Sequence, residues 1–355
     1  MSANNYQEYK PPITIFVCLL SLFLFIGINW DGAEGWDTYA KWGGPSLFEI
    51  YGGSYWGLLT NNFLHVEVWH IAFNLYWTWI FGKKIEWEEG SLFYIFLVVT
   101  AGVASSCGQL GFSDTTGIGL SGIGYAFFGY LFVKDRLDAH YQGFLNQSII
   151  NVFLIWLVIC VIITKLGWLE IGNAAHIAGL VWGLALAYGG HLGKIQQTAI
   201  GIVLIAILGT APFWNPWSTT WLSYQAYQLH NNQQLEKAMV VYKKILEKDG
   251  DNEFAAENLK LLEVNRLSQQ AYHLHNNQQL EEAKATYQKI LNIDPDNDFA
   301  RDNLKKMQTF QLHQKAGELY MEENYQAARE VLREILKIDK HDDRANMLLE
   351  EWAEY

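Results

Sequence analysis

Basic residues are scarce in this chain: 25 Lys and Arg stand against 37 Asp and Glu, a formal net charge of −12. A surface of that sign argues against a nucleic-acid partner. Cysteine is scarcer still, with Cys18, Cys107 and Cys160 each in or beside an apolar run and no CxxC spacing. Neither a disulfide framework nor a zinc site is expected from them, and the thiols read as buried packing groups. Also missing is a small-x-small cleavage site after the first apolar run, Ile13 to Trp30, which is too long for the core of a cleaved signal peptide. That run is expected to persist as a first membrane span, behind Lys10, Pro11 and Pro12.

What is present divides in two. Half the residues are apolar and fifteen are Trp, yet the mean hydropathy is zero. Such an average in 355 residues implies a membrane half joined to a polar half. Residues 1–217 hold 8 of the 25 basic and 13 of the 37 acidic residues, which leaves −5 on the first part and −7 on the second. Further apolar runs occupy about 67–82, 91–107, 119–133, 148–166, 171–189 and 196–213, giving seven expected spans. Between the first two lies a long segment, Asp31 to Leu64, with Trp36, Trp42, Tyr51, Tyr55 and Trp56 among glycines and acids. Its composition suits the membrane interface. Lys83 and Lys84, Lys134 and Arg136, and Lys194 follow spans two, four and six, so their loops share a side that the positive-inside rule makes cytoplasmic. Lys41 and Lys165 stand alone in the opposite loops. The N-terminus is then expected inside the plasma (inner) membrane. A seventh span, flanked by Lys194 and by Trp214 and Trp217, would put the remainder outside.

From Ser218 the chain becomes charged and helix-favouring, and it repeats. Ala226-Tyr-Gln-Leu-His-Asn-Asn-Gln-Gln-Leu-Glu recurs at Ala271 with an offset of 45 residues, and a weaker third copy keeps the offset at Ala316, Tyr325, Ala328, Ile335 and Asp339. The pattern resembles tetratricopeptide repeats, whose period is 34, so about eleven added residues are expected to lengthen one helix of each pair. Such an array implies a concave face for a protein or peptide. It holds no constellation that reads as catalytic.

The stretch with most chemistry in it is Gly119-Leu-Ser121-Gly122, opening an apolar run of about 15 residues, roughly 22 Å as a helix, against a hydrocarbon core of about 30 Å. Ser121 is therefore expected to begin its helix below the membrane surface, where non-helical backbone survives only inside protein or beside water. Small residues in such helices ordinarily serve packing, so the motif needs partners elsewhere in the chain. Two are at hand. His70 and Asn74 lie four apart on one face of span two, and His176, Gly179 and Gly183 share a stripe of span six. By the loop charges all three spans run in the same direction, with the polar group in the first two turns, so the groups can meet in the outer leaflet. A lone intramembrane His or Asn is ordinarily interhelical glue, whereas ionisable groups in a bilayer default to function. His65, at the mouth of span two, reads as a structural hydrogen-bond partner.

In this order the motifs His70-x-x-x-Asn74, Gly119-x-Ser121-Gly122 and Ala175-His176-x-x-Gly179-x-x-x-Gly183 resemble those of the rhomboid intramembrane serine proteases, over roughly residues 13–190. The resemblance implies a Ser121 nucleophile and a His176 general base, a dyad without a carboxylate. It implies that His70, Asn74 and the Ser121 N–H stabilise the oxyanion, that Tyr125 packs on His176, and that Gly179 and Gly183 let span six approach span four. It also implies single-span membrane proteins as substrates. One departure is Tyr55-Trp56-Gly57, where rhomboids commonly carry Trp-Arg; it bears on the loop's conformation, not on the chemistry. The expected architecture is all-α: a polytopic membrane bundle with a rhomboid-like six-span core and a seventh span at 1–217, then a tetratricopeptide-like domain at 218–355. No metal or organic cofactor is required. Two rivals remain: a rhomboid-like binder that does not cleave, and a metal site built from His65, His70 and His176, which lacks a carboxylate or Cys at ligand spacing.

Overall fold

A computed structural model describes residues 3–32 and 35–352, and among these every regular element is helical. The chain runs through α1 (Ala3–Glu8), α2 (Pro12–Trp30), α3 (Trp36–Lys41), α4 (Leu47–Tyr51), α5 (Gly57–Thr60) and a 3-10 turn at Asn61–Phe63. Then come α6 (Val68–Glu89), α7 (Ser91–Phe112), α8 (Ser121–Leu137), α9 (Gln147–Lys165), α10 (Asn173–Gly189), α11 (Lys194–Gly209) and α12 (Thr219–Asn231). Three stretches of the described residues are long and apolar enough to cross a membrane, Tyr6–Trp30, Ser91–Phe112 and Gln147–Lys165, with Lys194–Gly209 apolar but shorter. Two of these carry most of their apolar groups outward: Phe16, Leu19 and Phe23 on α2 and Ile155, Val158 and Ile162 on α9 are exposed. That inversion of the soluble pattern presents hydrocarbon to lipid. α8 and α10 have 17 residues each, about 25 Å, too short to cross alone.

The helix at the centre is α8. From Gly122 to Leu131 it is buried without a break, and Leu120, Ile123, Phe127 and Leu131 have no solvent exposure at all. Glycines bring α10 against it. A Cβ at Gly183 would fall on the Ala126 carbonyl oxygen, one at Gly179 on the Gly122 carbonyl oxygen, and one at Gly129 within 2.6 Å of the Leu180 carbonyl oxygen. Main chain therefore touches main chain along this pair, and packing of that closeness is what holds helices together where lipid removes the hydrophobic drive. The start of α2 is fixed by Glu86, buried on α6, whose carboxylate accepts the Ile13 and Thr14 N–H groups at 3.0 and 2.8 Å and the Thr14 and Ser91 hydroxyls. An anion on the free N–H groups of a helix start is favourable.

The loop that departs from the Trp-Arg pattern is fastened by the chain that follows α11. Asn215, buried, donates to the Tyr51 hydroxyl and to the Leu110 carbonyl at 2.6 Å. Phe213 meets Tyr55 with ring centroids 5.2 Å apart, and Phe48 lies against Tyr224 and Tyr227 at 5.5 and 5.8 Å. Asp114 caps α12: it accepts the Thr219 N–H at 2.7 Å, the Thr220 N–H, and the Ser218 and Thr219 hydroxyls. Because α10 begins beside Gln109 and Asn215 is held at Leu110, the chain leaves this end along α10 and returns to it along α11.

Contacts divide the chain into two compact units, Met1–Gln228 and Leu229–Tyr355. Composition changes at 217/218, but the Asp114 bonds and the Phe48 contacts make most of α12 part of the first unit. The second unit comprises α13 (Leu235–Lys248), α14 (Glu253–Asn276), α15 (Leu280–Ile293), α16 (Asp298–Met321), α17 (Tyr325–Ile338) and α18 (Asp343–Glu351). Its 45-residue period consists of a 14-residue helix, a turn, a 24-residue helix and a turn. Several devices recur at that offset. Asn252, Asn297 and Asp342 cap helix starts; Gln233, Gln278 and Glu323 take φ of +58° to +62° after helix ends; Lys260–Asp294 and Lys305–Asp339 pair at 2.9 and 3.1 Å. Ala238, Ala283 and Ala328 are fully buried at one register position, and Ile245, Ile290 and Ile335 at another.

Candidate active site

Ser121 is the first residue of α8. The turn that delivers it depends on Gly119, whose φ of +103° lies where only glycine is unstrained, and whose missing side chain leaves room for the His70 ring, 2.6 Å from a Cβ built there. Opposite, His176 lies one turn into α10. Ser121 Oγ and His176 Nε2 are 2.8 Å apart. If Nε2 is to accept the hydroxyl proton, the ring proton must sit on Nδ1, which is buried without a partner among the described residues. The imidazole is instead held by shape. Tyr125 stacks on it with centroids 4.7 Å apart and planes 29° from parallel, and the Tyr125 hydroxyl donates to the Phe153 carbonyl on α9 at 3.1 Å. Gly122 and Gly179 leave the space in which Ser105 of α7 and the Gly122 carbonyl fit beneath the pair.

His65 is fully buried and tied on both ring nitrogens. Its Nδ1 donates to the Phe63 carbonyl at 3.2 Å, so Nε2 is the acceptor, receiving the Leu120 N–H at 3.2 Å and an Asn74 amide N–H at 3.0 Å. Its bonds orient Asn74 and pin the residue before Ser121. Asn74 keeps one amide N–H for another acceptor. His70 sits edge-on to His65, centroids 5.0 Å apart, and faces the same cavity as Asn74, Ser121 and His176. That cavity has a volume of about 920 Å³, and its apolar wall includes Phe73 and Trp156, whose rings meet at 5.7 Å. The sequence-selected residues thus come together from α6, α8 and α10. Gly183 stands one turn beyond Gly179, at the helix contact and away from the cavity. No group of three His, Cys, Asp or Glu among the described residues is placed to hold a metal ion. His65 in particular has no ring nitrogen free for one.

Three residues that the motifs do not single out also belong to this neighbourhood. Gln109, buried in the last turn of α7, accepts the Ala175 N–H on Oε1 at 3.0 Å and donates to Ser113 Oγ and Thr115 Oγ1 at 2.7 and 3.2 Å. Asp114 and Thr220 both line the cavity. An amide in an apolar run was the available signal for Gln109, since polar side chains at membrane depth are costly to leave unused. Nothing local marks Asp114.

Comparison with known proteins adds an independent line. A rhomboid domain model matches residues 52–192. The rhomboid proteases GlpG of Salmonella typhimurium and Salmonella enteritidis are each 31% identical to this chain over 199 residues, which cover 54% of it and 68% of theirs. The GlpG of Salmonella choleraesuis matches at the same identity and coverage.

Proposed function

The chain belongs to the rhomboid family, and from that premise we propose that it is a serine endopeptidase that cuts membrane proteins at a transmembrane segment, using Ser121 and His176. The observation that carries the reading is the 2.8 Å approach of Ser121 Oγ to His176 Nε2 within a cavity of about 920 Å³. In this mechanism His176 takes the hydroxyl proton as Ser121 attacks the scissile carbonyl, then gives it to the leaving amine; a water, activated the same way, releases the acyl group. The oxyanion develops toward His70, the free Asn74 amide N–H and the Ser121 N–H, donors fixed in place before the reaction begins. The membrane-protein substrate class follows from the family and from the apolar helices. The test is labelling with a serine-reactive fluorophosphonate. Wild type is expected to take the label and Ser121→Ala to take none; a chain that binds membrane proteins yet takes no label would be a binder without activity.

Asn74 offers a finer test. Its alanine variant is expected to lower kcat roughly 10²-fold with a much smaller change in KM, because an oxyanion donor strengthens its bond only in the transition state. Leu120 still donates to His65 in that variant, so the turn before Ser121 keeps its hold. A change confined to KM would reassign Asn74 to packing.

The second unit reads as a tetratricopeptide-like array that binds a protein or peptide, and its placement outside the plasma membrane, with the N-terminus in the cytoplasm, accords with the loop charges. The return of the chain along α11 to the end where α8 and α10 begin supports a shared compartment for the array and the mouth of the site. An array there can hold the soluble part of a substrate and raise its effective concentration at the site. Removal of residues 232–355, which leaves α12 in place, is expected to slow processing of a full-length substrate about tenfold or more and to spare cleavage of a short transmembrane peptide. Equal loss on both substrates would give the array a structural role only.

A further inference from the structure

Ser113, Asp114 and Thr115 are consecutive residues gripped from two sides. From α7, Gln109 Nε2 donates to the hydroxyls of Ser113 and Thr115, while its Oε1 accepts the N–H of Ala175, the residue before His176. From α12, the N–H groups of Thr219 and Thr220 and the hydroxyls of Ser218 and Thr219 all converge on the Asp114 carboxylate. An unbroken path of hydrogen bonds and covalent links therefore joins the start of α12 to the helix that carries His176. The same loop continues through Gly119, held by its N–H on the Asn61 carbonyl at 3.2 Å, into Ser121.

We infer that Asp114, clasped by Ser218 to Thr220, is a positioning residue for the Ser121–His176 pair, so that α12 is a working part of the active site as well as the lead into the repeats. The inference rests on the protease reading above. The carboxylate is the group the clasp needs. It has about four lone-pair sites and no proton, and every partner facing it is a donor. α12 in turn has N–H groups at its start with no intrahelical acceptor, and these are the groups Asp114 serves. When the clasp opens, the loop of residues 113–119 loses its outer anchor, and Gln109 is left holding a mobile partner on one side and the His176 helix on the other. Misplacement of a reacting group by about 1 Å costs on the order of 10²-fold in rate.

Asp114→Ala is the sharpest variant, because it removes both acceptor oxygens from the Thr219 and Thr220 N–H groups, whereas Asn could still cap α12 through its carbonyl. With a transmembrane peptide as substrate, kcat is expected to fall roughly 10- to 100-fold and KM to change by less than about threefold. Ser218→Ala combined with Thr219→Val, which leaves Asp114 intact, is expected to reproduce most of that loss, and the triple variant to add little, since all three changes break one clasp. Hydrogen exchange on the same preparations is expected to quicken at residues 113–119 and at 173–178. A wild-type kcat in Asp114→Ala, losses that simply multiply in the triple variant, or unaltered exchange at 173–178 would each overturn the inference. If the wild-type chain cleaves nothing, the protease reading falls and the exchange measurement alone decides the path.

Discussion

Replacing Ser121 with Ala is expected to abolish cleavage of a membrane substrate, with a loss of roughly 10⁴-fold or more, and His176→Ala is expected to match it. The two side chains share one proton at 2.8 Å, and neither has a substitute: among the described residues no second acceptor meets Ser121 Oγ, and no carboxylate backs His176 Nδ1. A pair that acts as a unit loses nearly everything with its first member, so the double variant should be little worse than either single one. The folded state should survive, because Ser121→Ala removes one hydroxyl from a cavity wall and leaves the Tyr125 stack and its bond to Phe153 in place. Single-turnover cleavage and thermal unfolding in detergent measure the two halves of this statement. Activity above about one part in a hundred in either variant would remove the pair from the mechanism.

Next in size is the expected effect of a single methyl group at Gly179. Its Cβ would occupy the space of the Gly122 carbonyl oxygen, an atom of the main chain that cannot rotate away. α10 must then move off α8 at the level of Ser121, and the 2.8 Å contact opens with it. Activity is expected to fall at least about 10²-fold and the unfolding midpoint to drop by several degrees, as overpacking in a tight contact costs about 1–3 kcal/mol. At Gly183 the same change meets the Ala126 carbonyl oxygen one turn lower, so stability should fall as much and activity less. Gly201, on α11 with nothing within 4 Å of its built Cβ, is the control: Gly201→Ala should be neutral or slightly stabilising. A Gly179→Ala variant with wild-type cleavage would mean that α8 and α10 stand further apart in the membrane.

Legibility in the sequence followed the range of each interaction. His70 with Asn74, Gly119 with Ser121, and His176 with Gly179 and Gly183 are pairs within one helix or turn, where spacing alone says which residues share a face. The 45-residue period is equally local, and its caps and turns recur where the repeat puts them. Three of the seven apolar runs have counterparts that are long and apolar enough to cross unaided. The others are shorter, or carry charge as α6 does at Lys83, Lys84 and Glu86, so run length was a blunt guide to their ends. Out of reach were bonds between distant segments. Glu86 caps a helix start 72 residues earlier, and Asp114 caps one 105 residues later, with neither pair marked by any motif. The break in composition at 217/218 likewise concealed that the first turns of α12 pack with the membrane half.

The Asp114 clasp also sets an order of events in synthesis. Ser121 and His176 both leave the ribosome before Ser218, which follows His176 by 42 residues. At roughly 5–20 residues per second, a nascent chain spends about 2–8 s with Ser121 and His176 both made and the loop of residues 113–119 still without its outer anchor. The repeats that follow close only short loops, each within a 45-residue period, whereas Asp114 must wait for a partner 104 residues away. On the proposed reading, elongation times the maturation of the site: its last fastening is synthesised after both members of the Ser121–His176 pair.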